Sequence, residues 1–133
     1  MSGETNITTL LKNMTPKLNA GDYVFCTVNS LEGIDMTNVI GSFAEEEGVT
    51  IILKKEIADE LQLPYSYVAA WITLTIHSSL EAVGLTAAFS NALAKKAISC
   101  NVIAAYYHDH IFVAQKDAST ALKVLQELST INA

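Results

Sequence analysis

The sequence predicts an α+β protein of two ferredoxin-like βαββαβ units, the first abbreviated, with their sheets packed or paired side by side. Three observations predict it. The second half alternates β-rich and helix-periodic segments in the order strand, helix, strand, strand, helix. The first half offers a shorter series of the same kind. No Gly-, Pro- or Ser-rich linker separates the halves. The reading therefore divides the chain into 1–64 and 65–133 and expects both parts to move as one body. Neither half holds a full sheet, so each is expected to borrow an edge from the other or from a second chain.

The elements follow in order. Ile7, Leu10, Leu11 and Met14 recur at i, i+3, i+4, i+7 behind the polar caps Thr5 and Asn6, which predicts a helix that Thr15-Pro16 ends. Asp22–Asn29 is rich in β-formers and follows Asn19-Ala20-Gly21, a strand signature. Thr37–Glu46 reads as a short helix closed by Gly48, and Val49–Leu53 as a strand. Lys55–Leu63 carries Ile57, Ala58 and Leu61 on one helical face and stops at Pro64.

Tyr65–His77 reads as strand, bend and strand, with the break near Ala69-Ala70 and with Trp71, Thr73 and Thr75 sharing a face. Leu85, Ala88, Phe89, Ala92 and Leu93 mark a helix whose end suits Lys95-Lys96. Ser99–Tyr106 and His110–Ala114 are strands joined by a turn at Tyr107–Asp109. Asp117 opens a last helix that buries Ala118, Ala121, Leu122, Leu125 and Leu128.

Composition narrows the function. In 133 residues the net charge is −6, and all eight basic residues are lysine. Arginine is the usual reader of guanine edges and the bidentate clamp for phosphate, so an acidic chain without it is expected to avoid nucleic acid. A charged fraction of only 17% suggests that another copy covers some apolar surface, which makes a homo-oligomer, a dimer or tetramer, the expectation. Cys26 and Cys100 lie far apart without metal or redox spacing and read as reduced thiols of a cytoplasmic protein. Met1–Thr9 has no signal-peptide pattern, and no stretch approaches the roughly 20 apolar residues of a membrane helix.

Catalytic motifs are missing: no GxSxG, Walker loop, GxGxxG or spaced Cys-His pair occurs. No catalytic residue is assigned, and no enzyme or cofactor is expected. His77, His108 and His110 beside Asp109 invite a metal reading, but a fourth ligand is not evident and no metal is assigned. The acidic triplet Glu45-Glu46-Glu47 reads as a solvated helix end. Trp71 and the tyrosines Tyr65, Tyr67, Tyr106 and Tyr107 read as core or interface aromatics.

Several segments resemble the ACT family of regulatory domains. Glu47–Leu53 (EGVTIIL) is similar to a stretch of ACT-like proteins. Trp71–Leu74 with Ala82–Phe89 (AVGLTAAF) resembles the first strand, loop and helix of an ACT domain. Ala97–Val102 resembles the helix end and second strand, and Tyr107–Val113 the turn and third strand. Ala97 stands where the family commonly has Gly. The motifs are most similar to those in the regulatory parts of aspartate kinases and in the cellular arginine sensors.

The resemblance implies a ligand class, a free amino acid bound where two domains or subunits meet. It also implies a site: the loop Glu81, Ala82, Val83, Gly84, Leu85 and Thr86, the strand positions Cys100, Asn101, Val102 and Ile103, and the turn acid Asp109. The residues carry their own argument. A helix head presents unpaired N–H groups that hold a carboxylate without arginine, Gly84 permits close approach, and Thr86 adds a hydroxyl. Asn101 offers both donor and acceptor, and Asp109 suits an ammonium, although Asp also favours turns for its own sake. The expected role is a regulatory sensor. The alternative is a structural or oligomerisation module whose pocket is filled by its own side chains.

Overall fold

The computed structural model of the chain describes residues 6–75 and 83–131, which form seven strands and four helices. They gather into two compact units, Gly21–Ala69 and Met1–Ala20 with Ala70–Ala133. The division by chain order at 64/65 differs from this, because the first helix and first strand pack with the C-terminal half.

In the unit Gly21–Ala69, β2 (Tyr23–Val28), β3 (Val39–Ala44) and β4 (Val49–Lys54) form an antiparallel sheet with β4 in the middle. Val68 and Ala69, at the start of β5 (Val68–Leu74), pair with Val24 and Tyr23 on the far side of β2. Alternation turns Val24 and Cys26 of β2, with Ile51 and Leu53 of β4, onto one face, where they pack with Ala58 of α2 (Lys55–Glu60). Leu61 lies beyond the helix end and is exposed.

The helix expected at Thr37–Glu46 is instead a 3-10 turn, Met36–Asn38, followed by β3. Val39, Ile40 and Phe43 favour a pleated surface, and the ladder to β4 gives their backbone groups partners that a short isolated helix would lack. The acidic triplet consequently belongs to a hairpin rather than a helix end. Glu45 and Gly48 exchange backbone hydrogen bonds at 3.0 and 3.4 Å, with Glu46 and Glu47 at the tip. Gly48 is required by close approach: a Cβ there would stand 2.9 Å from Thr27 Oγ1 and 3.0 Å from the Val28 carbonyl.

In the second unit the strands run β1-β5-β7-β6, with β1 at Pro16–Leu18, β6 at Asn101–Ala104 and β7 at Asp109–Ala114. β1 pairs antiparallel with β5 through Pro16↔Leu74, Lys17↔Thr73 and Leu18↔Ile72. Proline is tolerated there because it opens an edge strand. The sequence reading missed β1, whose three residues are too few for any alternation to register. The break expected near Ala69-Ala70 does not interrupt β5, although the boundary between the two units falls at that point.

Three helices cover one face of this sheet. α1 (Ile7–Asn13) is capped by Asn6, whose Oδ1 accepts from Thr9 N–H at 3.0 Å. α3 (Leu85–Ala94) contributes Leu85, Phe89 and Leu93, and α4 (Ala118–Ile131) contributes Ala121, Val124 and Leu125. These side chains meet Leu10, Leu11 and Met14 of the N-terminal segment and Ile72, Leu74, Ile111 and Val113 of the sheet in one continuous core. The helical stripes read from the sequence are the faces that are buried.

Candidate functional site

The loop before α3 ends at Gly84, which adopts φ 94°, a left-handed conformation that glycine enters without a Cβ penalty. Gly84, at the N-cap position, has no side chain with which to cap the helix. Ala88 N–H makes the first bond of the helix, to the Gly84 carbonyl at 3.0 Å, so the N–H groups of Leu85, Thr86 and Ala87 precede the intrahelical ladder. Val83 is 83% exposed, and Thr86 is exposed as well. The Leu85 side chain is buried in the core, leaving only its backbone toward the helix head. Glu81, Ala82 and His77 lie outside the described residues.

α3 closes through Lys96, Ala97 and Ile98, whose N–H groups return to Leu93 and Ala94 carbonyls. Ala97 takes φ 58° here, a left-handed conformation at a helix end where glycine is the usual residue. The chain then reverses into β6. Cys100 Sγ lies 4.0 Å from Ser90 Oγ, part-way along α3, and burial pushes the Cys100 thiol up from its ordinary value. Cys100 and Val102 face the core, while Asn101 and Ile103 face away from it. Asn101 Nδ2 donates to the Phe112 carbonyl at 3.2 Å, across the ladder.

Asp109 stands opposite Ala104 in register at the start of β7 and is only 8% exposed. Burial raises its carboxyl above the usual range, against the opposing pull of His110 and His108. The sequence reading put Asp109 in the turn Tyr107–Asp109; the structure makes it the first residue of β7. Among the described residues no group of three or more His, Cys, Asp or Glu side chains is arranged to hold a metal ion.

One cluster escaped the sequence reading. On the sheet face opposite the helices, Trp71 Nε1 donates to His110 Nδ1 at 3.0 Å, and Thr73 Oγ1 lies 3.2 Å from the same nitrogen. Asn19 Nδ2 donates to Thr73 Oγ1 at 2.9 Å and to the Trp71 carbonyl at 3.2 Å. Trp71 also stacks on Phe112, with ring centres 6.2 Å apart and planes 18° from parallel. The shared face of Trp71 and Thr73 was legible from alternation; their meeting with His110 and Asn19 depends on strand pairing, which sequence spacing does not encode.

The unit Gly21–Ala69 has clefts of its own. One of about 290 Å³ is bordered by Gly21, Asp22, Lys54, Lys55, Glu56 and Asp59. Beside it Asp59 accepts from Lys55 Nζ at 3.0 Å and from Tyr65 OH at 2.6 Å. These hydrogen bonds hold the Asp59 carboxyl below its ordinary value, with Tyr65 the larger cause.

The ACT domain family matches the chain twice, over residues 2–70 and again over residues 66–127. A protein of unknown function from Vibrio cholerae, described as a possible transport protein, is 50% identical over 92% of this chain and 94% of its own, with a TM-score of 0.82. The ligand-free regulatory subunit of aspartate kinase from Thermus thermophilus superposes with a TM-score of 0.58 at 9% identity, covering 85% of this chain and 95% of that one. The aspartate kinase of Clostridium acetobutylicum gives 0.64 at 11% identity, covering 86% of this chain and 34% of the enzyme. At such identities the likeness to the kinases is one of fold. No curated protein matches the chain.

Proposed function

This chain belongs to the ACT-domain family, and on that premise we propose that it is a small cytoplasmic regulatory protein that binds a free amino acid beside the head of α3, not an enzyme. The observation that carries the reading is a helix headed by Gly84 in a left-handed conformation, with no side chain at the N-cap position. The N–H groups of Leu85, Thr86 and Ala87 suit a ligand carboxylate, and the exposed Thr86 hydroxyl adds a donor. With no arginine in the chain, backbone donors are the natural anion holder.

The opposite end of the ligand falls to Asp109. α3 spans about 15 Å, and β6 returns alongside it over a comparable length. Cys100, just ahead of β6, meets Ser90 in mid-helix, and Asp109 pairs with Ala104 at the end of β6. Asp109 would take the ligand ammonium, with Val83 and Val102 bordering the site. Membership of the ACT-domain family supports this ligand class.

A homo-oligomer is part of the proposal. β3 and β6 are edge strands, and Phe43 is 72% exposed on one, with Tyr106 and Tyr107 exposed just beyond the other. Edges with large exposed apolar groups favour pairing with another copy. The test is thermal melting against each of the twenty amino acids, with oligomer mass measured in parallel by sedimentation. A selective rise in Tm that Thr86→Ala and Asp109→Asn both abolish supports the reading. Gly84 is a poor test position, since any side chain there is strained by φ 94°.

The burial of Leu85 favours a second reading, a module that assembles without a ligand. An oligomer that forms normally, with no Tm response to any amino acid at millimolar concentration, would decide for it.

A further inference from the structure

The indole of Trp71 has a hydrogen to give and no lone pair to accept one. Its bond to His110 Nδ1 therefore leaves that nitrogen bare and confines the imidazole hydrogen to Nε2. Thr73 Oγ1 then has one consistent role: it accepts from Asn19 Nδ2 and turns its own hydrogen toward His110 Nδ1. Three side chains from β5 and the segment after β1 thus point, directly or in relay, at one lone pair on β7.

That arrangement has a chemical consequence. Placing a proton on Nδ1 converts the acceptor into a donor facing the Trp71 N–H and the Thr73 hydroxyl. The Trp71 contact must break and its indole needs a new acceptor, while the Thr73 hydroxyl has to turn its hydrogen away to accept from Nδ1. We infer that Asn19, Thr73, Trp71 and His110 form a proton-sensitive latch across β1, β5 and β7, closed while His110 is neutral and released when its Nδ1 is protonated.

The surroundings fit a neutral resting state. Burial lowers the His110 pKa first and the neighbouring His108 lowers it further, while Asp109 pulls the other way. β5 brings Ala69, Trp71 and Thr73 to this face and β6 Asn101 and Ile103, none of which titrates. β1 brings Lys17, directly across from Thr73. α4, with Lys123 and Glu127, lies against the other face of the sheet. Acid is accordingly needed to open the latch, beyond what an ordinary histidine requires.

Trp71 is the single tryptophan of the chain, so its indole N–H gives one cross-peak in a ¹⁵N-correlated NMR spectrum. The expected result is a tautomer with hydrogen on Nε2 at pH 8, seen in the ¹⁵N shifts of the His110 ring. On acidification the indole peak should move or broaden with a midpoint below about 6.5, the ordinary histidine value. His110→Asn supplies an oxygen near the place of Nδ1 that still accepts from Trp71 and does not protonate, so its indole peak should stay still over the same range. His108→Gln should keep the transition and move its midpoint upward, since His108 no longer holds the His110 pKa down. A hydrogen on Nδ1 at pH 8, a stationary indole peak in the unmodified protein, or the same transition in His110→Asn would each overturn the inference.

Discussion

Asn19 reaches Thr73 across the ladder between β1 and β5, its amide 2.9 Å from the threonine hydroxyl, while its backbone N–H bonds the Trp71 carbonyl at 2.9 Å. One residue thereby anchors the N-terminal segment to the strand that the second unit is built around. Replacing Asn19 by Ala removes two side-chain hydrogen bonds and leaves a half-buried hydroxyl with one partner fewer. A loss of about 1–2 kcal/mol is expected, measured by urea denaturation.

Asp109 gives a pH dependence of stability with a definite sign. Burial raises its carboxyl above the unfolded value of 3.8, so the folded state holds the proton more tightly. Its contribution is then greatest in acid and declines as pH rises from the unfolded value through the folded one. Asp109→Asn is expected to raise Tm at pH 7 by a few degrees and to leave it nearly unchanged near pH 3.5. Equal effects at the two pH values would contradict the burial argument.

Ala97 sits at φ 58° at the end of α3. An L-residue in that region costs about 1–2 kcal/mol relative to glycine, offset in part by the greater freedom glycine brings to the unfolded chain. Ala97→Gly should therefore stabilise the protein by about 0.5–1 kcal/mol in chemical denaturation, with no change in oligomer mass.

Gly48 tests the opposite case. An added methyl would crowd the Val28 carbonyl, which belongs to the strand and gives way only by shifting the hairpin. Gly48→Ala is expected to cost about 1–3 kcal/mol. Hydrogen exchange should quicken first at Val49–Lys54 and Val39–Ala44, the two strands that hairpin joins.

Phe89 is fully buried at the centre of the larger core. Truncation to Ala should cost about 3–5 kcal/mol, lowering Tm sharply while the far-UV spectrum of the folded fraction stays the same.

Helical faces were the most legible part of the fold. Leu10, Leu11 and Met14, then Leu85, Phe89 and Leu93, then Ala121 and Leu125, repeat at intervals that allow one buried stripe and no other. β3 was misread because Thr37–Glu46 has no clear period of either kind, and its partner strand decided the matter. β1 was too short to register. Gly84 and Asp109, on which the proposed site rests, were singled out in the sequence because their backbone and turn chemistry is local. The Trp71–His110 contact was not, since it joins residues 39 positions apart through strand neighbours.

The N-terminal helix and strand complete the unit formed by the C-terminal half, with residues 21–69 intervening. During synthesis, the first twenty residues leave the ribosome well before the sheet and helices they dock on exist. The intervening unit has all its strand partners by Ala69 and is free to form while that leading segment waits. A chain severed between the two sequence halves would strand Leu10, Leu11 and Met14 on the wrong fragment, so expression of residues 65–133 alone should yield an open core and aggregate, whereas adding the N-terminal peptide back in trans should restore solubility.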